Sequence, residues 1–129
     1  HRVDRRQRQM CIRDRLSQAD SNLQMLADRA GGDPAKIIMF LLELIIQEYS
    51  IAITDGRIVD AGEYQDAYGF HLVAMMHANK LPEEIRSKAT KSLSDLGSLW
   101  MDGPKPVKNP TSKDLMITSV NSIMDLMNQ

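Results

Sequence analysis

The chain has 129 residues, 43% of them hydrophobic and 26% charged, with a formal net charge of −1 and one cysteine. That length is one domain's worth, and the balance of apolar and charged residues is that of a globular protein. A single cysteine excludes an internal disulfide framework and a thiolate-rich metal centre.

The first residues form a class of their own. Residues 1–15, HRVDRRQRQMCIRDR, hold six Arg, two Asp and the only cysteine, Cys11, with no hydrophobic period. The codons CGT CGG CAG CGT CAG ATG TGT ATA AGA GAC spell Arg5 to Asp14, a string that resembles the transposase adapter used in short-read library preparation. We therefore expect residues 1–15 to be a translated adapter segment, outside the fold. The remainder, residues 16–129, is expected to be a single helical domain truncated at both ends. Removing six basic and two acidic residues from totals of 16 and 17 leaves 10 and 15, a net charge of about −5. That charge repels phosphate and argues against nucleic-acid binding.

In chain order, a first helix is expected from Ser17 to Ala30, with Leu23, Leu26 and Ala27 as its apolar face and Gly31-Gly32 as its stop. Asp33-Pro34 supplies a cap and a proline at the first position of the next helix. That helix runs to about Thr54 and contains the most apolar segment, IIMFLLELII, from Ile37 to Ile46. Ten residues with a Glu inside are too few to cross a bilayer. Its polar residues, Glu43, Gln47, Ser50 and Thr54, form a thin stripe, so nearly the whole circumference is expected to be buried.

A third helix is expected from Ala61 to Asn79. Asp60 and Glu63 have the spacing of a capping box, in which Asp60 accepts first-turn amides and Glu63 reaches back. Tyr64, Ala67, Tyr68, His71, Leu72 and Met75 form its expected inner face. Pro82-Glu83-Glu84 opens a fourth helix, with Ile85, Ala89, Leu93, Leu96 and Trp100 at helical period. Met101 to Ser112 holds three prolines and a glycine and reads as a loop. A last helix carries Met116, Val120, Ile123 and Met127 on one side. No run alternates with strand period. The fold class is all-α: an antiparallel bundle of four to five helices with short connections. The eight methionines after residue 15 are expected to fill the core.

Ile53 to Tyr64, ITDGRIVDAGEY, needs a closer test. As an EF-hand loop with Gly56 at position 6, its positions 1 and 3 would be Ile51 and Ile53 and its position 12 Gly62. Two isoleucines cannot coordinate a hard cation, so calcium binding is excluded. As an interhelical turn, every residue has a role: Gly56 takes a positive φ, Ile58 and Val59 turn into the core, and Asp60 caps the next helix.

The same stretch carries a resemblance. YSIAITDGRIVDAGEY, Tyr49 to Tyr64, resembles the pattern Y-P-x-A-V-x-x-G-x-V-x-N-x-x-E-Y of the soluble N-terminal region of bacterial high-affinity iron permeases, the oxidase-dependent iron transporter family. Tyr49, Ala52, Gly56, Glu63 and Tyr64 match in identity, and Ile53 and Ile58 in kind. Phe70 stands near the position of a Phe common in the family. Ser50 replaces the usual Pro, and Asp60 the usual Asn, which leaves the cap intact. The resemblance implies a non-catalytic helical module of an iron-uptake permease. Such a module would be periplasmic or extracytoplasmic, partnered by a membrane permease domain in the same chain or complex, for docking or weak iron presentation.

The permease's Arg-Glu-x-x-Glu iron motif does not occur in this chain. An iron role would therefore rest on carboxylates and imidazoles of the soluble part. Glu63 and Asp66 share a helix face, and His77 lies near that face further on; these three are the candidate metal ligands, with iron possible as a weakly bound cargo. Glu43 and His71 are the other candidates, although His71, beside Tyr64 and Tyr68, reads better as a hydrogen-bonded residue at the core's edge. No Ser-His-Asp pattern, phosphate-binding Gly loop, HExxH or Glu-x-x-His pair points to an enzyme or a di-iron bundle. The alternative reading is a cytosolic helical stress or scaffold module of the tellurite-resistance-like type, which also uses a helix–Asp-Gly–helix element.

Overall fold

A computed structural model describes residues 32–128. The expected helix over 17–30 and the expected adapter segment over 1–15 lie outside the described residues. Within them are four helices: α1, Pro34–Ala52; α2, Ala61–Ala78; α3, Glu83–Gly97; and α4, Lys113–Met127. Each packs against its two neighbours in a closed ring: α1 on α2, α2 on α3, α3 on α4, and α4 back on α1. The α1–α2 seam is the most extensive.

Helix α1 is buried as its sequence predicts. Ile37, Ile38, Leu41, Leu42, Ile45, Tyr49 and Ala52 are withdrawn from water, while Glu43 and Gln47 are exposed. Each such Leu or Ile contributes roughly 1.5–3 kcal/mol relative to an exposed one. The helix ends two residues before the expected Thr54. Ile53–Thr54 (β1) and Arg57–Ile58 (β2) pair antiparallel, Ile53 opposite Ile58 and Thr54 opposite Arg57. Asp55 and Gly56 between them have φ of 52° and 74°. Two consecutive positive φ values make the two-residue turn that suits the twist of a hairpin. The Gly56 conformation is as expected, but it serves a miniature hairpin rather than a helix C-terminus. Val59 does not turn into the core: it is 62% exposed, and Ile58 is half-buried. The Val59 amide instead donates to the Ala52 carbonyl at 2.7 Å, which turns its side chain outward.

In α2 the buried face is Glu63, Tyr64, Asp66, Ala67, Phe70, His71, Ala74 and Ala78. Leu72, expected inside, is 45% exposed, and Met75 is half-buried. The helix is rotated so that Ala67, Ala74 and Ala78 face the packed side. With Ala67, Ala74 and Ala78 on the packed side, Leu72 falls outside it. The methionines likewise do not fill the core as expected: Met116 is fully buried, whereas Met76 and Met101 are exposed.

Helices α3 and α4 follow their periods. Ala89, Leu93 and Leu96 are buried on α3, with Trp100 just past it, and Met116, Val120 and Ile123 on α4. Ser112 caps α4, its hydroxyl accepting from the Leu115 amide at 3.1 Å. The connection before it contains an extended segment, β3, Met101–Pro104.

The ring topology brings the C-terminus of α1, the N-terminus of α2, the C-terminus of α3 and the N-terminus of α4 to one end. An aromatic cluster joins them there. Tyr49 on α1 stands 5.8 Å from Tyr64 on α2 and 5.9 Å, edge-on, from Trp100 after α3. Trp100 in turn meets Tyr68 at 5.6 Å and His71 at 5.5 Å. No described helix is long and apolar enough to cross a membrane.

Candidate metal centre

The start of α2 sets the site. Asp60 has extended backbone, and its carboxylate accepts from the Glu63 amide at 3.1 Å. This is half of the expected capping box. The other half does not form, because the Asp60 amide points to the Ala52 carbonyl at 3.4 Å. The Glu63 side chain is turned inward, where it is 5% exposed. Asp66, one turn on, is 4% exposed.

These two meet a residue that sequence reasoning missed. Glu48 on α1 brings a carboxylate oxygen to them, so that one oxygen from each of Glu48, Glu63 and Asp66 lies within 4.8 Å of the other two. Oε2 of Glu48 is buried and has no hydrogen-bond partner among the described residues. The signal was present: Glu48 follows Leu41 by seven residues and Ile45 by three, and precedes Ala52 by four. It is an acid on the buried stripe of α1, away from the exposed stripe of Glu43 and Gln47.

The other candidates do not join. Glu43 is exposed on the far side of α1. His77 is fourteen residues beyond Glu63, about 21 Å along a helix axis, too far for a shared ion. It is half-buried near the end of α2, and desolvation, with Lys80 nearby, lowers its pKa. His71 is structural. Its Nε2–H donates to the Leu93 carbonyl at 2.8 Å, and burial lowers its pKa below the ordinary 6.5 despite that bond. The ring lies so close to α3 that a Cβ on Gly97 would stand 2.5 Å from His71 Cε1. Of the motif tyrosines, Tyr49 is held well above its usual pKa by burial and by Tyr64, and Tyr64 is raised by burial and by Asp102. Both are neutral core residues.

Three carboxylates this close repel one another unless protons or a positive charge compensate. All-oxygen donors select a hard cation. The positive end of the α2 dipole favours the anionic side chains of the first turns and opposes a cation placed beside them.

The sequence model of the iron permease-associated 4-helix bundle domain matches residues 32–128. The chain belongs to this family. The match spans the four helices described here, with Gly32 and Asp33 before them and Asn128 after, so the family's unit and the observed bundle coincide. No curated protein and no solved structure matches the chain. The iron permease-associated bundle is a transporter's helical domain, and the resemblance carried by Tyr49 to Tyr64 is thereby accounted for. The residues of that stretch divide by role. Tyr49, Ala52 and Tyr64 pack the core, Gly56 makes the hairpin turn, Asp60 caps α2, and Glu63 enters the carboxylate cluster.

Proposed function

We propose that this bundle presents iron to its permease, holding the ion weakly and reversibly on Glu48, Glu63 and Asp66 on the extracytoplasmic side. The observation that supports the reading is the convergence of three carboxylates, two of them buried, across the α1–α2 seam. Three protein oxygens leave half the positions of an octahedral ion open to water or to a receiving ligand. That incomplete shell, with the opposing helix dipole, suits transfer rather than storage. Calcium, which requires six to eight oxygens, is poorly served by three.

Anaerobic calorimetry with ferrous iron on the full chain tests the reading. We expect weak binding that is lost in a Glu63→Gln, Asp66→Asn double variant and reduced in Glu48→Gln, with no measurable Ca²⁺ binding by any of them. Iron binding that survives the double variant would move the site elsewhere. Absence of iron binding by the parent would leave docking against the permease domain as the function.

A further inference from the structure

The chain contains two Asp-Gly pairs, Asp55-Gly56 and Asp102-Gly103. Such a pair has a chemistry of its own. The glycine amide nitrogen can attack the aspartate Cγ, because no side chain stands beside that nitrogen to obstruct the approach. The carboxylate takes up a proton from solvent. An N–Cγ bond forms, and one carboxyl oxygen leaves as water with that proton and the one from the amide. The product is a five-membered succinimide. Water then opens the ring. Attack at Cγ restores aspartate; attack at the α-carbonyl breaks its bond to nitrogen and leaves the chain running through Cβ and Cγ, an isoaspartyl linkage. One water leaves and one returns, so no other reactant is required.

The fold treats the two pairs differently. Asp102 is exposed, but the Gly103 amide donates to the Trp100 carbonyl at 3.2 Å and the Lys105 amide to the Asp102 carbonyl at 3.1 Å. Tyr68 lies against the same glycine, its Oη 3.7 Å from the place of a Cβ. Pro104 follows and restricts Gly103 further. The attacking nitrogen is therefore engaged and its turn is clamped. At the other pair both residues are exposed, and the Gly56 amide donates to no backbone carbonyl among the described residues. Nothing stands within 4 Å of a Cβ built on Gly56. Closing the ring requires rotation about the Asp55 backbone. Two residue pairs, Ile53–Ile58 and Thr54–Arg57, hold the hairpin shut. A two-stranded hairpin this short is marginal and opens locally at low cost. Asp55 also holds a φ of 52°, a left-handed conformation that a side chain disfavours, so opening relieves strain.

We propose that Asp55 is a site of spontaneous isoaspartate formation in the folded protein, and that Asp102 is protected from the same reaction. The modification inserts a methylene into the backbone of a two-residue turn, where loop length sets the strand register. Pairing of Thr54 with Arg57 and of Ile53 with Ile58 is lost. With it goes the seat of the Val59 amide on the Ala52 carbonyl, directly before the Asp60 cap of α2. The inference does not rest on the carboxylate site.

The test is ageing of the full chain at neutral pH and physiological temperature. Proteolysis and mass spectrometry with electron-based fragmentation then tell isoaspartate from aspartate in each peptide, and methyl transfer by an isoaspartyl methyltransferase gives an independent total. We expect isoaspartate to accumulate at least about fivefold faster at Asp55 than at Asp102, the factor that one retained hydrogen bond of ordinary strength imposes on opening. In concentrated urea the two sites should react alike, because the difference lies in the fold and not in the dipeptide. A Gly56→Asn variant keeps the turn and places a Cβ beside the nitrogen; it should lower the product at Asp55 and leave Asp102 unchanged. Equal or reversed rates in the folded chain, no product at Asp55, or the same preference in urea overturns the proposal.

Discussion

The hydroxyl of Tyr49 donates a 2.6 Å hydrogen bond to the backbone carbonyl of Thr111, 62 residues later in the chain. It ties the last turn of α1 to the entry of α4, and both groups are buried. Replacing Tyr49 by Phe keeps the ring, its contacts with Tyr64 and Trp100, and the volume. It leaves a buried carbonyl without its donor, which costs about 1–3 kcal/mol. We expect a melting midpoint lower by several degrees at unchanged helix content. An unshifted midpoint would mean that water replaces the hydroxyl without loss.

Gly56 sits at φ 74° in the hairpin turn, and a Cβ there would meet nothing within 4 Å. Space is therefore not the constraint; the backbone is. A β-branched residue resists positive φ, so Gly56→Val should destabilise by about 1–3 kcal/mol, whereas Gly56→Asn, which tolerates that region, should cost much less. Urea unfolding of both variants separates the two causes, since equal losses would point to something other than φ.

Gly97 has the opposite constraint. Its conformation is helical and ordinary, but the His71 imidazole occupies the place of its Cβ. In Gly97→Ala the ring must move off Leu93, and we expect a loss of about 1–3 kcal/mol from overpacking. A helix propensity argument alone predicts a gain of about 1 kcal/mol from Gly to Ala. The sign of the change in thermal midpoint decides between them.

The buried His71 also makes stability depend on pH. Burial lowers its folded-state pKa below the ordinary 6.5, so below that pH the unfolded chain takes up a proton that the native state refuses. The contribution is complete above about pH 6.5 and is lost as pH falls through the folded-state value. His77, lowered as well, acts in the same direction. A His71→Gln variant can still donate to Leu93 O and does not titrate. Its melting midpoint should fall less between about pH 7.5 and 5.5 than the parent's does. An equal fall would assign the dependence to other groups.

Several features were legible in the residues themselves. The apolar period of α1, the Asp60 cap, the positive φ of Gly56, and the faces of α3 and α4 are local properties. Each depends on spacing along one element and on the chemistry of one side chain, so one strand of sequence contains all the information required. His71 was also legible as a hydrogen-bonded residue, because a histidine sharing a buried face with Tyr64 and Tyr68 must satisfy a ring nitrogen.

The three-carboxylate cluster is of another kind. Glu63 and Asp66 could be paired by their helical spacing, but the third member could not be chosen by it. His77 and Glu43 were the sequence candidates, and Glu48 is the neighbour. Period 3.6 says which residues share a face of one helix; it does not say how that helix is rotated against the next, or how far along. On α2 the expected face held Tyr64, Ala67, Tyr68, His71, Leu72 and Met75, whereas the buried one leaves Leu72 outside and runs through Glu63, Asp66, Phe70, Ala74 and Ala78 as well as Tyr64, Ala67 and His71. That rotation turned Glu63 and Asp66 towards α1, where Glu48 stands on the buried stripe. The elements were thus determined by the sequence alone, through local period and capping. The membership of the carboxylate cluster and the seating of His71 against Gly97 were decided only by the tertiary structure, because both depend on the distance and rotation between helices.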